Sequence, residues 1–424
     1  MRAIQVYKFG GASVSNADAV RNVSNIIQRF KGEDALIVVV SAMGKTTNAL
    51  ERIVTYAFER KDVCDELNKL RLFHSQIIDE LFPSPTTVYQ EMDDVIQEIS
   101  MRLNHLHNES YNYVYDQIVC QGEILSTRIV NAYLQLSGIR TVFKDARGLI
   151  RTDTTYREAK VDWDMTGYLI SRELQPLLNE AQPPVIITQG FIGKSTEGQS
   201  TTLGREGSDY SAAILAHSTD AACVTIWKDV PGVLNADPKF FTDAQLLPHL
   251  SYQDAIELSY YGATVIHPKT MKPLQNKNIP LRVKSFVQPD AAGTLVDSKE
   301  PLAVIPSFIF KIEQLLISIS PKDFSFIVEE NLSEIFSLLA SYRIKVNLMQ
   351  HSALSFQVCV DADESKTTPL LEALGKNFIT EHRTGLELIT VRHYNQATVE
   401  RLMKGKELLV EQKNSHTVRL VVSP

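Results

Sequence analysis

From Gln5 to Lys284, short runs rich in β-branched residues alternate with segments of helical periodicity, and this alternation constrains the fold more than any other feature of the chain. The best runs are Gln5 to Phe9, Ala35 to Ser41, Val185 to Gln189, Cys223 to Trp227 and Leu281 to Lys284. Strands separated by helix-length segments need crossover connections, which predicts an α/β fold with a mainly parallel sheet sandwiched by helices. The stretch from Thr47 to Tyr133 reads mostly as helix, polar and almost free of glycine, broken at Pro83 and Pro85. It is expected to be a helical insertion. Past Thr294 the texture changes, and Pro301 and Pro306 flank a linker. The tail then reads as strands over 315–320, 345–350, 356–360, 386–392, 407–412 and 418–422, with helices over 332–342, 369–378 and 397–403. That order, βαββα followed by βαββ, is close to two ferredoxin-like units, the second incomplete. The expected domains are 1–298 and 299–424.

Composition narrows the function classes. A chain of 424 residues, 44% hydrophobic and 22% charged, has the texture of a folded globular protein of two or three domains. Its net charge of −7 exerts no overall pull towards nucleic acid or anionic lipid, so any polyanion must be held by local basic residues. The apolar run from Ala35 to Gly44 falls well short of the roughly 20 residues of a membrane span. No apolar leader follows Met1, so the expected location is the cytoplasm. Cys64, Cys120, Cys223 and Cys359 form no C-x-x-C pair, which argues for buried reduced thiols rather than a disulfide framework or zinc site.

Two segments imitate the end of a P-loop, Gly44-Lys45-Thr46 and Gly193-Lys194-Ser195. Both lack its first glycine, since Val39 and Thr188 stand there. The stronger signal is spread over three loops. After the first strand, Gly10 and Gly11 can expose backbone N–H groups to phosphate oxygens, and Lys8 adds a mobile positive charge. In Thr201 to Ala213 a glycine-rich loop leads into a small-residue helix starting near Ser208 or Asp209, where Asp209 is either a cap or a functional acid. Arg205 in that loop presents a planar fork suited to a carboxylate. The third loop, Trp227 to Phe240, carries Lys228, Asp229, Asp237 and Lys239. Ligands gather at the carboxyl edge of parallel sheets, where all three loops are expected.

The motifs YKFGGASV, QGEILSTR (Gln121 to Arg128), TQGFIG (Thr188 to Gly193), TTLGREGSDYSA, WKDVPGVLNADP, ELSYYGATVIHP (Glu257 to Pro268) and AAGTLV (Ala291 to Val296) occur in the order found in the aspartokinase family, which residues 4–296 resemble. The resemblance implies an amino-acid kinase fold followed by paired ferredoxin-like ACT regulatory units, the latter matched more loosely. It implies the reaction ATP + L-aspartate → 4-phospho-L-aspartate + ADP, the first step towards lysine, threonine and methionine, with Mg²⁺ carried mainly by the ATP phosphates. The end of the chain at Pro424 leaves no room for a homoserine dehydrogenase domain, so a monofunctional enzyme is expected. By position, Lys8 and Asp209 take the catalytic roles, and Ser41, Thr47, Glu123 and Arg205 the aspartate-binding ones. Glu123 suits the α-ammonium and Arg205 a carboxylate. Lys8, Gly10, Gly11, Lys228, Asp229, Leu234, Lys239, Thr264 and Val265 match ATP-binding positions. Read without the family, Ser41 suits a helix N-cap and Glu123 a surface acid.

Departures from the family pattern concentrate at two places. Many relatives carry threonine where this chain has Lys228, tyrosine at Leu234 and lysine at Thr264, so the nucleotide loops redistribute their charge. In the tail, feedback-sensitive relatives place glycine, an acid and a second acid where this chain has Glu330, Asn347 and Ala353. The expectation is weak or absent inhibition by lysine, with threonine the first alternative effector, and a homodimer built through the ACT-like tail. Two other readings compete: a kinase for glutamate or an acetylated amino acid, and an inactive amino-acid sensor. The sensor reading would need Lys8 or Asp209 to be lost, and both are present.

Overall fold

Strands β1 (Ile4–Phe9) and β2 (Ala35–Val40) pair in parallel, and all six residues of β2 are buried. A strand written Ala-Leu-Ile-Val-Val-Val has no polar alternation because both faces of its sheet are covered. The further strands are β3 (Thr141–Phe143), β4 (Arg151–Thr152), β5 (Val185–Gln189), β6 (Ile192–Ser195), β7 (Ser200–Thr202), β8 (Cys223–Lys228), β9 (His249–Ser251), β10 (Leu281–Ser285) and β11 (Thr294–Asp297). Eight form one sheet in the order β3-β5-β2-β1-β8-β10-β11-β9, antiparallel only at β10–β11, while β4, β6 and β7 form a small second sheet. All five strands expected in this region are present within one residue at each end. In this computed structural model the described residues are 2–83, 86–106, 109–263, 266–301, 304–323 and 325–424.

Helices α1 (Ala17–Phe30), α2 (Thr46–Phe58), α3 (Cys64–Leu81), α4 (Thr87–Leu103), α5 (Tyr111–Leu136), α6 (Trp163–Leu178), α7 (Gly207–Thr219), α8 (Tyr252–Tyr261) and α9 (Pro268–Asn276) complete this part. The expected insertion is α2 to α5. Its break falls after Leu81; Pro83 lies in it, and Pro85 is outside the described residues. Helix α1 shows the local logic: Asn16 caps it by accepting from the Ala19 N–H, and Val20, Val23, Ile26 and Ile27 bury one face. Helix α5 is different, because 17 of its 26 residues are buried, so its polar residues need internal partners. Asp116 accepts from the Arg157 and Thr202 N–H groups and the Thr202 hydroxyl, and Gln117 brackets the Ser200 backbone. Burial raises the Asp116 carboxyl to about 6, against those hydrogen bonds. One apolar core joins Phe9, Val38 and Val40 to Ile118 and Leu125 of α5 and to Ile78 and Met92.

By internal contacts the chain forms two compact units. The first is Met1–Val233, Pro248–Ile256 and Val265–Glu300; the second is Leu234–Leu247, Glu257–Thr264 and Pro301–Pro424. Within the second, the Phe241 ring stacks on Phe308 at 4.9 Å and the Asn235 carbonyl accepts from the Phe308 N–H at 2.6 Å, which ties the segment from 234 to the tail. The tail contains β12 (Ser307–Pro321), α10 (Glu329–Ser341), β13 (Val346–His351), β14 (Phe356–Asp361), α11 (Glu364–Leu374), β15 (Phe378–Arg392), α12 (Gln396–Met403), β16 (Glu407–Lys413) and β17 (Thr417–Ser423). They form one antiparallel sheet, β13-β14-β12-β15-β17-β16.

Two readings of the tail are corrected. The strands expected over 315–320 and 386–392 are halves of β12 and β15, 15 residues each, which run through both ferredoxin-like halves. Charged residues around Lys311 and Glu313 interrupt the apolar alternation, but a bulge there, with Glu313 at φ +54, carries the pairing across. The helix expected over 369–378 begins five residues earlier, because Asp363 caps it by accepting from the Ser365 N–H, and Phe378 already opens β15. Of the cysteines, Cys120 and Cys359 are buried, whereas Cys64 is exposed and Cys223 half-buried. Among the described residues no helix is long and apolar enough to cross a membrane.

Candidate active site

Alternation along two neighbouring strands sets the centre of the site. Strands β1 and β8 run parallel with Lys8 opposite Ile226 and Phe9 opposite Trp227. The rings of Phe9 and Trp227 stack at 6.2 Å with 5° between their planes, on the face that joins the apolar core. Period-two alternation therefore sends Lys8 and Lys228 to the other face. There α7 begins, with Asp209 as its third residue and fully buried. The Lys8 ammonium lies 2.6 Å from Asp209 Oδ1, and the Lys228 ammonium 3.3 Å from Oδ2. Burial alone would raise the Asp209 carboxyl, but the two ammonium groups outweigh it and hold the carboxyl below its ordinary range. The capping alternative for Asp209 falls away, because the N-cap position is Glu206, in the left-handed region at φ 54.

A second buried carboxylate stands on the α5 side. Glu123 is 2% exposed, and its Oε2 has no hydrogen-bond partner among the described residues. Burial pushes it up to about 8, with the Lys8 charge and the Ala42 N–H pulling the other way. The preceding glycine explains the spacing of the Gln-Gly-Glu motif. A Cβ on Gly122 would lie 2.9 Å from the Thr46 methyl and 3.0 Å from Leu50, so with any other residue these α2 side chains would have to shift. Ser41 is buried beside them, its N–H donating to the Phe9 carbonyl and its carbonyl accepting from the Ser126 hydroxyl at 2.7 Å. It caps no helix, since the residue before α2 is Lys45. Thr47 is the second residue of α2 and half-buried. Arg205 is exposed in the loop just before α7 and forms no ion pair with any described residue.

The first glycine loop is held by backbone contacts. A Cβ on Gly11 would meet the Ala42 and Gly44 carbonyl oxygens at 2.9 Å, and the Gly44 N–H donates to the Gly11 carbonyl. The Lys8 ammonium passes 3.3 Å from where a Gly10 side chain would begin, so the lysine lies directly over that backbone. Asp229 follows Lys228 and is exposed. Leu234 and Lys239 lie on the segment that clusters with the second unit, where the exposed Lys239 turns its N–H onto Asp237. Thr264 and Val265 lie outside the described residues.

In the second unit, Glu330 is exposed in the first turn of α10. The exposed Ala353 accepts from the Ile327 N–H through its carbonyl. Asn347 is buried and fully engaged: it accepts from the Lys311 ammonium and donates to Gln314 and Asp361, all within 2.9 Å. Sequence reasoning placed Lys228 in a nucleotide loop and missed its tie to Asp209. The one signal for it was the repeated pairing of a lysine with an aromatic, Lys8-Phe9 and Trp227-Lys228, at the ends of two strands.

Two ammonium groups on one carboxylate, beside glycine backbone at the carboxyl edge of the sheet, suit an anion that gains charge. A buried carboxylate with a vacant oxygen suits a cation. Among the described residues no group of three His, Cys, Asp or Glu side chains could hold a metal ion.

Comparison with known proteins adds the following. A model of the amino acid kinase family matches residues 3–285. The lysine-sensitive aspartokinase 3 of Escherichia coli is 31% identical over 369 residues, covering 87% of this chain and 80% of its own length. Aspartokinase 1, chloroplastic, of Arabidopsis thaliana is 31% identical over 386 residues, with 87% of this chain and 65% of that one covered. Two crystal structures of E. coli aspartokinase III superpose on 99% of this chain at 28% identity. One, in complex with aspartate and ADP, covers 96% of that chain with a TM-score of 0.81; the other, in complex with lysine and aspartate, covers 95% with 0.82.

Proposed function

This chain belongs to the amino acid kinase family and, within it, is an aspartate kinase; from that premise we propose that Lys8 and Asp209 carry the phosphoryl transfer and that Ser41, Thr47, Glu123 and Arg205 hold L-aspartate. The observation that carries this reading is the buried Lys8–Asp209 pair beside a buried, half-vacant Glu123. The acceptor carboxylate of aspartate, with a pKa near 4, is ionised at neutral pH, so attack on the γ-phosphorus needs no general base. The work is placement and charge. Lys8 neutralises the phosphoryl oxygens, Gly10 and Gly11 present backbone N–H groups, and Asp209 fixes the lysine. Lys228, Asp229, Leu234, Lys239, Thr264 and Val265 are assigned to ATP. Mg²⁺ is assigned to the ATP phosphates and is given no step of its own. A hydroxamate assay offering aspartate, glutamate and acetylglutamate tests the substrate: turnover with either of the others above that with aspartate would overturn the assignment.

Arg205, exposed in its loop and in no ion pair with another described residue, is placed to clamp a substrate carboxylate bidentately. Arg205→Ala is expected to raise the KM for aspartate by about tenfold, the lower end for a lost charge-assisted hydrogen bond. The KM for ATP should change far less; damage confined to ATP would reverse the placement of the subsites.

Residues 1–298 are assigned the catalysis and 299–424 the regulation and assembly, in a cytoplasmic homodimer that opens the route to lysine, threonine and methionine. Support for assembly through the tail comes from its exposed apolar side chains, Phe326, Phe336 and Met349, the last on the edge strand β13. Glu330, Asn347 and Ala353 depart from the feedback-sensitive pattern, and the polar groups of Asn347 already serve Lys311, Gln314 and Asp361. Loss of one charge-assisted contact costs about 1.5–3 kcal/mol, or roughly 10- to 150-fold in affinity. Lysine is therefore expected to inhibit weakly or not at all, and threonine is the first alternative effector. Half-maximal inhibition by submillimolar lysine, in titrations with each amino acid alone and with both, would overturn this reading of the tail.

A further inference from the structure

We propose that Asp116 is a positioning residue for substrate recognition: from α5 it fixes the loop that carries Arg205, and so sets the separation of Arg205 from Glu123. The inference rests on the assignment of Glu123 and Arg205 to L-aspartate and deepens it.

An ammonium and a carboxylate on one small molecule are recognised together only when the groups that pair with them are held at a matching distance. Glu123 belongs to α5, whereas Arg205 stands on an exposed loop, so the loop has to be tied to the helix. Asp116 lies seven residues before Glu123, close to two turns, which sends both side chains off the same side of α5 about 10 Å apart along its axis. Its fully buried carboxylate takes hold of two separate segments. Both oxygens accept from the Arg157 N–H at 3.1 Å, while Oδ2 accepts from the Thr202 N–H at 2.8 Å and Oδ1 from the Thr202 hydroxyl at 2.7 Å. Thr202 ends β7, three residues before Arg205, a stretch of chain that spans at most about 10 Å.

The two held segments also brace each other under the loop. The Ala159 N–H donates to the Thr202 carbonyl at 3.0 Å, and a Cβ on Gly204 would lie 3.2 Å from the Arg157 carbonyl oxygen. Gly204 is in the left-handed region at φ +77, so the chain turns towards Arg205 where the Arg157 backbone supports it. The Arg157 guanidinium lies over the Tyr115 ring at 4.4 Å and covers that side. The three groups that meet Asp116 are all donors, which suits a carboxylate; an amide there would turn its own N–H bonds onto one of them. Apolar packing could join the same segments without desolvating a charge, and what the carboxylate adds is direction. Leu203 is held separately, its N–H donating to the Phe191 carbonyl at 2.8 Å. Loss of the acid therefore leaves the loop attached and changes its aim.

Asp116→Asn is expected to raise the aspartate KM about fivefold, short of the effect of Arg205→Ala, because misaiming the arginine cannot cost more than removing it. The kcat and the KM for ATP should stay within twofold, as for a group that serves ground state and transition state alike. Thr202→Val, which deletes only the hydroxyl donor, should raise the aspartate KM about threefold, and it carries the test if Asp116→Asn does not fold. In an Arg205→Ala background either change should move the aspartate KM by less than twofold, whereas unrelated structural damage would multiply. Hydrogen exchange of the ligand-free protein reads the loop without substrate: the amides of residues 202–206 should exchange about tenfold faster in Asp116→Asn, with those of β1 and β2 unchanged. Unaltered exchange at 202–206 in both variants would overturn the proposal, as would multiplying KM effects, an equal rise in both KM values, or a wild-type aspartate KM in both variants while Arg205→Ala raises it. If Arg205→Ala itself leaves that KM unchanged, the assignment of Arg205 falls instead, and exchange alone decides whether Asp116 holds the loop.

Discussion

Lys8→Ala is expected to lower kcat by about 100-fold or more at saturating aspartate, the scale of a lost group that meets developing charge in the transition state. The fold should survive the change, because Asp209 keeps Lys228 at 3.3 Å and is not left as an uncompensated buried charge. That makes Lys8 a cleaner probe than Asp209, whose loss would leave two ammonium groups facing each other. One side effect is built in. The Lys8 charge helps hold the Glu123 carboxyl down, so its removal should raise the aspartate KM modestly below pH 8. Steady-state kinetics at pH 7 and pH 9 separate the two effects, and a variant that keeps most of the wild-type kcat at saturating aspartate would remove Lys8 from the mechanism.

Glu123→Ala should raise the aspartate KM by about 10- to 150-fold, since it leaves the substrate ammonium unpaired at a cost of about 1.5–3 kcal/mol. The pH dependence is sharper still. In the empty site burial holds the Glu123 carboxyl at about 8, so at pH 6 to 7 most of it carries a proton and cannot pair with an ammonium. The apparent affinity for aspartate should therefore climb by close to tenfold per pH unit from 6 towards 8 and then level off. In Glu123→Gln, which cannot ionise, the slope should vanish; a slope unchanged in that variant would clear Glu123 of the effect. Stability follows the opposite sense. A carboxyl raised above its unfolded value favours the folded state fully below that value and loses this contribution as pH rises through the folded one. Thermal unfolding of the ligand-free protein should show wild type losing stability relative to Glu123→Gln between about pH 4.5 and 8.

What the sequence determined by itself was whatever depends on local periodicity and turn chemistry. Five of the eight strands of the main sheet, the helical insertion and the order of elements in the tail were legible, because apolar spacing and glycine loops act over a few residues. Lys8 and Asp209 stood out as candidates only through the family resemblance, since local sequence left Asp209 as either a cap or a functional acid. What only the tertiary structure decided was everything set by register, close approach and burial. Parallel pairing of β1 with β8 brings the Lys8 and Lys228 ammonium groups to 2.6 and 3.3 Å from the Asp209 carboxylate, and nothing local predicts that contact. Gly122 reads as an unfavourable helix residue until α2 is seen against it. Glu123 reads as a surface acid until all sides of α5 are covered, and its raised carboxyl is a consequence of that desolvation. The long strands β12 and β15 pass through a bulge that breaks the apolar alternation, so periodicity ends where pairing continues. Alternation is a property of neighbouring residues along the chain, whereas the field at a buried charge is made by residues that only the fold brings together.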